Sequence, residues 1–450
     1  MNRKSPVSPV IGQLSRRAAL LGPLALLSGC SLYDDWFGTK KTPLAGQRVT
    51  IGAGTRALDA DDATSRKVVL PQAVRNANWP TPGGNPAHVA GHLAAADRLT
   101  EAWTASIGEG GGYRRKILAQ PVVDNGVVYA MDSGAVLTAF DTATGARRWR
   151  LETRGEDDNS TNIGGGMSVN DGVLYAVNGL ADVLAIDAGT GSIRWRVNTG
   201  TPARSAPTIA EGRIFYVTFD DRLVALDIAD GRQIWSYHAP SAITSLLGQP
   251  APAYADGLVV AGFGSGELAT LRADSGAVAW TDSLAAVGQS SITELSAIRG
   301  LPVIVNGRVY AIGLGELCLS IDLRSGRRLW EREIGGSDNP WVAGDWLFVV
   351  TSSHQITALN LADGRPAWVA DLPKFENEEK KRDPVHWFGP VLVGDRLVVA
   401  GNNSVALAIS PYTGEVLGQQ ALSGPASLAP IVADGTLFIV TDNGNLTALR

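Results

Sequence analysis

Asp141-Thr142-Ala143-Thr144-Gly145-Ala146-Arg147-Arg148-Trp149 closes one copy of a repeat that organises the chain. The frame returns as Asp187…Gly191…Trp195, Asp227…Gly231…Trp235 and Asp322…Gly326…Trp330. Looser copies end at Trp280 and Trp368, and a degenerate one runs from Ser410 through Gly414 to Gly418. From Trp149 onward the closing positions lie 46, 40, 45, 50, 38 and 50 residues apart, the length of one propeller blade. The pattern has a physical logic. The Asp holds a turn by accepting from its own backbone, the Gly supplies positive φ, and the Trp brings a large apolar surface to a neighbouring sheet.

Upstream of each closing motif stands an alternating apolar segment, as in Pro121–Tyr129 and Pro302–Tyr310, with an Asn-Gly or Asp-Gly turn joining two short strands. Proline to closing position is 28 residues in five copies and 30 in Pro250–Trp280. The blade is therefore nearly constant, and length varies in the link from each Trp to the next Pro. The last copy starts at Pro430, so the chain ends at Arg450 before a fourth strand is written. Leu99–Ile107 is an orphan outer strand whose Trp103 precedes Trp149 by 46 residues, and it supplies the missing strand. The expected fold is all-β: an eight-bladed β-propeller of four-stranded antiparallel blades over residues 99–450, its last blade closed by an N-terminal strand.

Composition agrees. With 45% hydrophobic and 18% charged residues the chain is globular, and 52 Gly and 23 Pro beside three Met are the punctuation of short strands. The net charge is −5, and residues 1–29 carry Arg3, Lys4, Arg16 and Arg17 without an acid, so the remainder is more acidic still. Nucleic acid is not expected as a partner on that balance.

Residues 1–29 read as an export signal: a basic start, an apolar stretch from Ala18 to Leu27 too short to span a bilayer, then Leu27-Ser28-Gly29-Cys30. The tetrapeptide resembles a bacterial lipobox, which implies cleavage before Cys30 and acylation of its thiol. Ser31 follows rather than an aspartate, and the resemblance to the lipoprotein sorting signals of enteric bacteria implies the outer membrane. Ser15–Leu20 also resembles a twin-arginine signal. Cys318 is then the one cysteine left besides the anchor, a small core residue by its strand-like surroundings. Residues 30–98, rich in Pro and poor in periodicity, are expected to form a lipid-anchored extended tether, pinned on the propeller by Trp79 and Val68-Val69-Leu70.

The Ala-x-Asp-x-x-Thr-Gly-x-x-x-Trp repeat resembles the pyrroloquinoline-quinone-like propellers. An eight-bladed member with few insertions and a lipobox is similar, within them, to the lipoproteins of the outer-membrane β-barrel assembly machinery. That resemblance implies a non-enzymatic scaffold without a cofactor or a metal, anchored in the outer membrane and facing the periplasm. Its implied partners are the POTRA domains of BamA, other subunits of the machinery and nascent outer-membrane proteins. By the family pattern a docking loop Leu-Ser-Leu-Arg-Gly falls on the link after Trp235, matched at Ser245, Leu246 and Gly248, with Leu247 in place of arginine. The link after Trp280 carries Ala297, Ile298 and Arg299, where the enteric pattern has aspartates at the positions of Ala297 and Arg299. Leu246, Leu247 and Ile298 are expected to be exposed there beside Arg299.

Two other functions compete. Quinoprotein dehydrogenases share the repeat, but their sites resemble a vicinal disulfide and an Asp/Glu/Asn calcium cluster on long insertions, which this sequence lacks. A binding module for another envelope partner, such as peptidoglycan or an unfolded barrel, would use the link Asp371–Gly389, where Glu376–Arg382 is a charge run and Trp387 brings apolar area. His88 and His92 have i, i+4 spacing without the Glu of a zincin and are expected to be solvated. His238, His354 and His386 are expected to stand apart, and Gly164–Gly166 to connect strands.

Overall fold

The computed structural model describes residues 67–112, 115–154, 164–242, 248–285 and 297–450. These form eight four-stranded antiparallel sheets and one small hairpin, with no helix among the described residues. Blades 1 to 7 comprise residues 122–152, 166–198, 208–238, 253–283, 303–332, 341–371 and 387–421, and blade 8 combines 431–449 with Glu101–Ser106. The expected closure holds: Trp103 pairs with Ala448 and Ser106 with Asn445.

Each blade begins with its innermost strand and ends with its outermost. The turns joining strands one to two and three to four therefore share one face of the ring, here the turn face. The other connections, including the links between blades, share the opposite link face. The repeat motif explains how blades stack. In blade 1 the Asp141 carboxylate accepts from the amides of Ala143 and Thr144 at 3.0 Å, and the Gly145 amide donates to the Asp141 carbonyl at 2.9 Å. Gly145 holds φ of 72°, and a Cβ there would stand 2.6 Å from the ring of Trp103, so only glycine admits the neighbouring indole. Six other turn glycines, 191, 231, 276, 326, 364 and 414, each face the Trp of the preceding blade in the same way.

Residues 67–98 are a strap across the turn face that also enters the central channel. The inner edges of the first strands lack a neighbour, and buried N–H and C=O groups there need partners. The strap supplies them: Trp79 exchanges two backbone bonds with Val123 at 2.8 Å, Pro80 accepts from Val169, Pro86 from Tyr254 and Ala87 from Ile304. Trp79 is 1% exposed and stacks on Trp341 with ring centroids 6.0 Å apart, while Val68 is buried and Val69 faces solvent.

His88 and His92 correct the expectation of solvated histidines, because both are buried in this strap. The His88 Nδ1 lies 2.7 Å from the Pro302 carbonyl and burial pushes its pKa down to about 4. A histidine buried neutral stabilises the fold fully above pH 6.5 and loses that contribution as pH falls toward 4. The shift corresponds to roughly 3 kcal/mol. Denaturant titrations between pH 7 and 4 should show it as a steep acid slope that flattens in His88→Leu; an unchanged slope would exclude His88 as its source.

Candidate functional site

The site begins from the links between blades 3 and 4 and between blades 4 and 5. Ser245, Leu246 and Leu247, like Cys30, lie outside the described residues, but the ends of both links are held in place. In the first, the Ala242 amide faces the buried Asp221 carboxylate at 3.4 Å and Gly248 resumes the chain at φ of 85°. In the second, Leu284 is buried with its amide on the Gly266 carbonyl at 2.8 Å. At its far end, the Ile298 amide donates to Phe263 at 3.1 Å and the Ala297 carbonyl accepts from Leu314 at 3.0 Å. Asp221 also accepts from the Gly264 amide at 3.0 Å. Gly248 and Gln249 of one link and Ala297, Ile298 and Arg299 of the other line one small cavity with it. The two links thus meet on the link face.

Ala297 and Ile298 differ from the sequence expectation. They are 2% and 1% exposed, since the Ile298 side chain fills the space that a Cβ on Gly262 would need. Ile298 lies in a link between blades, a position that reads as surface in sequence, but here it is core. Arg299 remains exposed.

Arg299 stands at the mouth of the channel, in a cavity of about 140 Å³. The residue before most inner-strand prolines reaches this mouth: Gln120, Ala206, Gln249, Leu301, Asn339 and Ala429. Pro82 of the strap lines the same cavity from within the channel. Asp338 is the acid of the mouth, and burial lifts its carboxyl to about 6 against the pull of Arg299 and the Ser337 hydroxyl. Asp338 and Asp221 were missed in sequence; the recurring x-Pro positions were the available signal for the mouth, and none marked Asp221.

Trp387 is also a correction to a partner-contacting role. It is 4% exposed, its indole N–H donates to the Pro373 carbonyl at 2.9 Å, and its ring covers Gly401. The rest of that link forms a hairpin of Phe375–Asn377 and Arg382–Pro384 whose charged tip is exposed. His354 and His386 are neighbours rather than separate, with rings 6.2 Å apart, and the His354 Nε2 faces the Val385 carbonyl at 3.1 Å. No group of three His, Cys, Asp or Glu converges among the described residues. Cys318 is fully buried and its thiol is pushed up to about 12, which leaves it unreactive.

A quinone held with a calcium ion requires a defined donor set. Calcium takes six to eight oxygen ligands, several of them carboxylates. The mouth offers one carboxylate beside two arginines, Arg204 and Arg299, and its floor is taken by Pro82. The residues present do not fit such a cofactor.

A ring of eight repeat blades with its own chain in the channel is a propeller of the pyrroloquinoline-quinone-like class. Within it, the chain belongs to the BamB family of outer membrane protein assembly factors, since a family model described as "Outer membrane protein assembly factor BamB" matches residues 38–162, 133–370 and 374–450. The BamB of Salmonella typhimurium is 30% identical over 359 residues, covering 78% of this chain and 88% of that protein. The crystal structure of BamB from Moraxella catarrhalis superposes with a TM-score of 0.66 at 20% identity, covering 78% of this chain and 100% of that one. A quinohemoprotein alcohol dehydrogenase from Comamonas testosteroni gives the same TM-score at 14% identity, over 84% of this chain and 81% of that chain. The last two likenesses are of fold, which does not carry function.

Proposed function

We propose that this chain is a non-enzymatic scaffold of the outer-membrane protein assembly machinery. It is anchored through Cys30 in the outer membrane on the periplasmic side, and it docks on the POTRA domains of BamA through the links 239–252 and 284–302. The observation that carries the reading is the meeting of these two links at Asp221, with Arg299 exposed beside the channel mouth, in a chain of this family. A rim on which Arg299 is exposed suits a partner that presents an acidic side chain or an extended edge. Buried Ile298 and Ala297 set the backbone that aims Arg299. Copurification from solubilised envelopes, with partners identified by mass spectrometry, tests the reading: BamA should be recovered, and its absence would reject the proposal.

Arg299→Glu should weaken binding to purified POTRA domains by about 1–3 kcal/mol, the range for a residue near an interface centre. The melting temperature should fall by far less than for a core substitution, because Arg299 is exposed and the internal group it acts on is Asp338. Ile298→Asp should instead lower the melting temperature as a core change does, so it is not a probe of docking. Cys30→Ala should leave a folded protein that no longer sediments with outer membranes. Unaltered fractionation with the lipid mass retained would show that the anchor lies elsewhere.

A further inference from the structure

Seven junctions between blades are filled alike, and the eighth is not. At the seven, the outer-strand Trp of one blade packs on the turn glycine of the next: Trp103 on Gly145, Trp149 on Gly191, and so on to Trp368 on Gly414. In six of them the indole N–H also donates to a carbonyl of that turn, at 2.8–3.0 Å. Between blades 7 and 8 both halves of this arrangement are missing. Blade 7 has Gly418 where the others have Trp, and a Cβ there would meet nothing within 4 Å. Blade 8 has no turn between its last two strands, because these come from distant parts of the sequence, Thr100 pairing with Arg450. What remains is an open groove of about 510 Å³, lined by Leu99, Val398, Leu417, Leu437, Leu449 and Arg396 among others.

The strand beside it is an unprotected edge. Val416–Ala421, with the sequence VLGQQA, carries no charged residue, whereas the outer strand of blade 1 is RRWRLE and that of blade 5 is RLWER. Charged side chains are what normally keep a sheet edge from accepting another strand. Val416 and Leu417 are 54% and 58% exposed. Gly418 pairs inward with Ala408, and its other side is the rim of the sheet. Arg396 donates to the carbonyls of Ala96 and Asp97, yet its Nε is buried with no acceptor among the described residues.

From this we infer that the outer edge of blade 7 and the tryptophan slot beside it, unfilled among the described residues, bind an extended polypeptide that adds as a fifth strand and seats an aromatic side chain over Gly418. The seven filled junctions define the chemistry of the occupant, an indole-sized ring between apolar side chains. An aromatic residue packing over an edge glycine from a neighbouring strand is a known stabilising pair. Main-chain bonds along the uncharged edge supply affinity, and the slot supplies selectivity. The site lies on blades 7 and 8, away from the links of blades 3 to 5, so it stands independently of docking on BamA.

The full-chain protein is titrated, by fluorescence anisotropy, with a labelled and blocked peptide of the chain's own residues 145–153, and with the same peptide carrying alanine for Trp149. The Trp peptide should bind saturably and the Ala peptide about tenfold or more weakly, as expected for loss of an anchoring aromatic. Gly418→Trp fills the slot from inside, so it should reduce peptide binding about tenfold or more while the melting temperature holds or rises. Leu417→Lys, which charges the edge, should reduce binding as well, and it carries the test if Gly418→Trp does not fold. Arg299→Glu should leave peptide binding unchanged. Equal binding of the two peptides, no saturable binding, or full binding by Gly418→Trp or Leu417→Lys would overturn the proposal. So would sedimentation showing a wild-type dimer that Gly418→Trp dissolves, which would make the occupant a second copy of this chain.

Discussion

Trp103→Ala should lower the stability of the propeller by about 3 kcal/mol, near the low end for truncating a large core aromatic because the ring is part-exposed. Trp103 sits on the strand that closes the ring and touches both sides of the closure. Its ring lies 6.0 Å from Phe438 in blade 8, covers Gly145 in blade 1, and its indole N–H donates to the Thr142 carbonyl at 2.9 Å. Removing it loosens the contact between the first and last blades together with the pairing of Glu101–Ser106 on Asn445–Leu449. Trp149→Ala removes an equivalent ring at a junction closed by covalent turns on both sides. The denaturation midpoint should therefore fall further for Trp103→Ala than for Trp149→Ala. Equal losses would mean that closure contributes nothing beyond packing.

Trp79→Ala should cost about 3–5 kcal/mol, the range for a fully buried Trp. The ring is 1% exposed, stacks on Trp341 with an interplanar angle of 12°, and lies 3.0 Å from where a Cβ on Gly84 would stand. Its backbone pairs with the inner edge of blade 1. Since the strap's backbone bonds run to the first strands and the turns that follow them, the loss should be localised: amides of Val123 and Val169 should exchange faster, and the strap should be cleaved sooner by protease. Outer-strand amides should keep their protection. A uniform rise in exchange across all blades would show instead that strap and ring unfold as one unit.

The repeat made the ring legible because each of its residues has a separate physical duty. Asp141 and Gly145 make a turn, Trp149 packs on Gly191, and the constant spacing from proline to tryptophan counts strands. The early end of the last repeat at Arg450 pointed to Trp103 for the same reason. Where the duties are not periodic, sequence carried less. The strap meets no repeat rule, so the burial of His88 and His92 is set by the free inner edges they cover, which exist only once the ring has closed. Ile298 and Trp387 have compositions that suit a docking patch and a core equally. Gly262 and Gly401, each on a strand beside the residue in question, decide in favour of the core by leaving them space. The vacancy at Gly418 was visible as a degenerate motif, but its meaning depends on the missing turn in blade 8, which only the fold places next to it.

The docking account is tested most directly by hydrogen exchange of the full protein with and without the purified POTRA domains of BamA. Amides of residues 239–252 and 284–302 should be slowed on binding, while blades 7, 8 and 1 and the hairpin within 371–389 stay unchanged. Protection centred on 371–389, or no change in the two links under saturating partner, would contradict it.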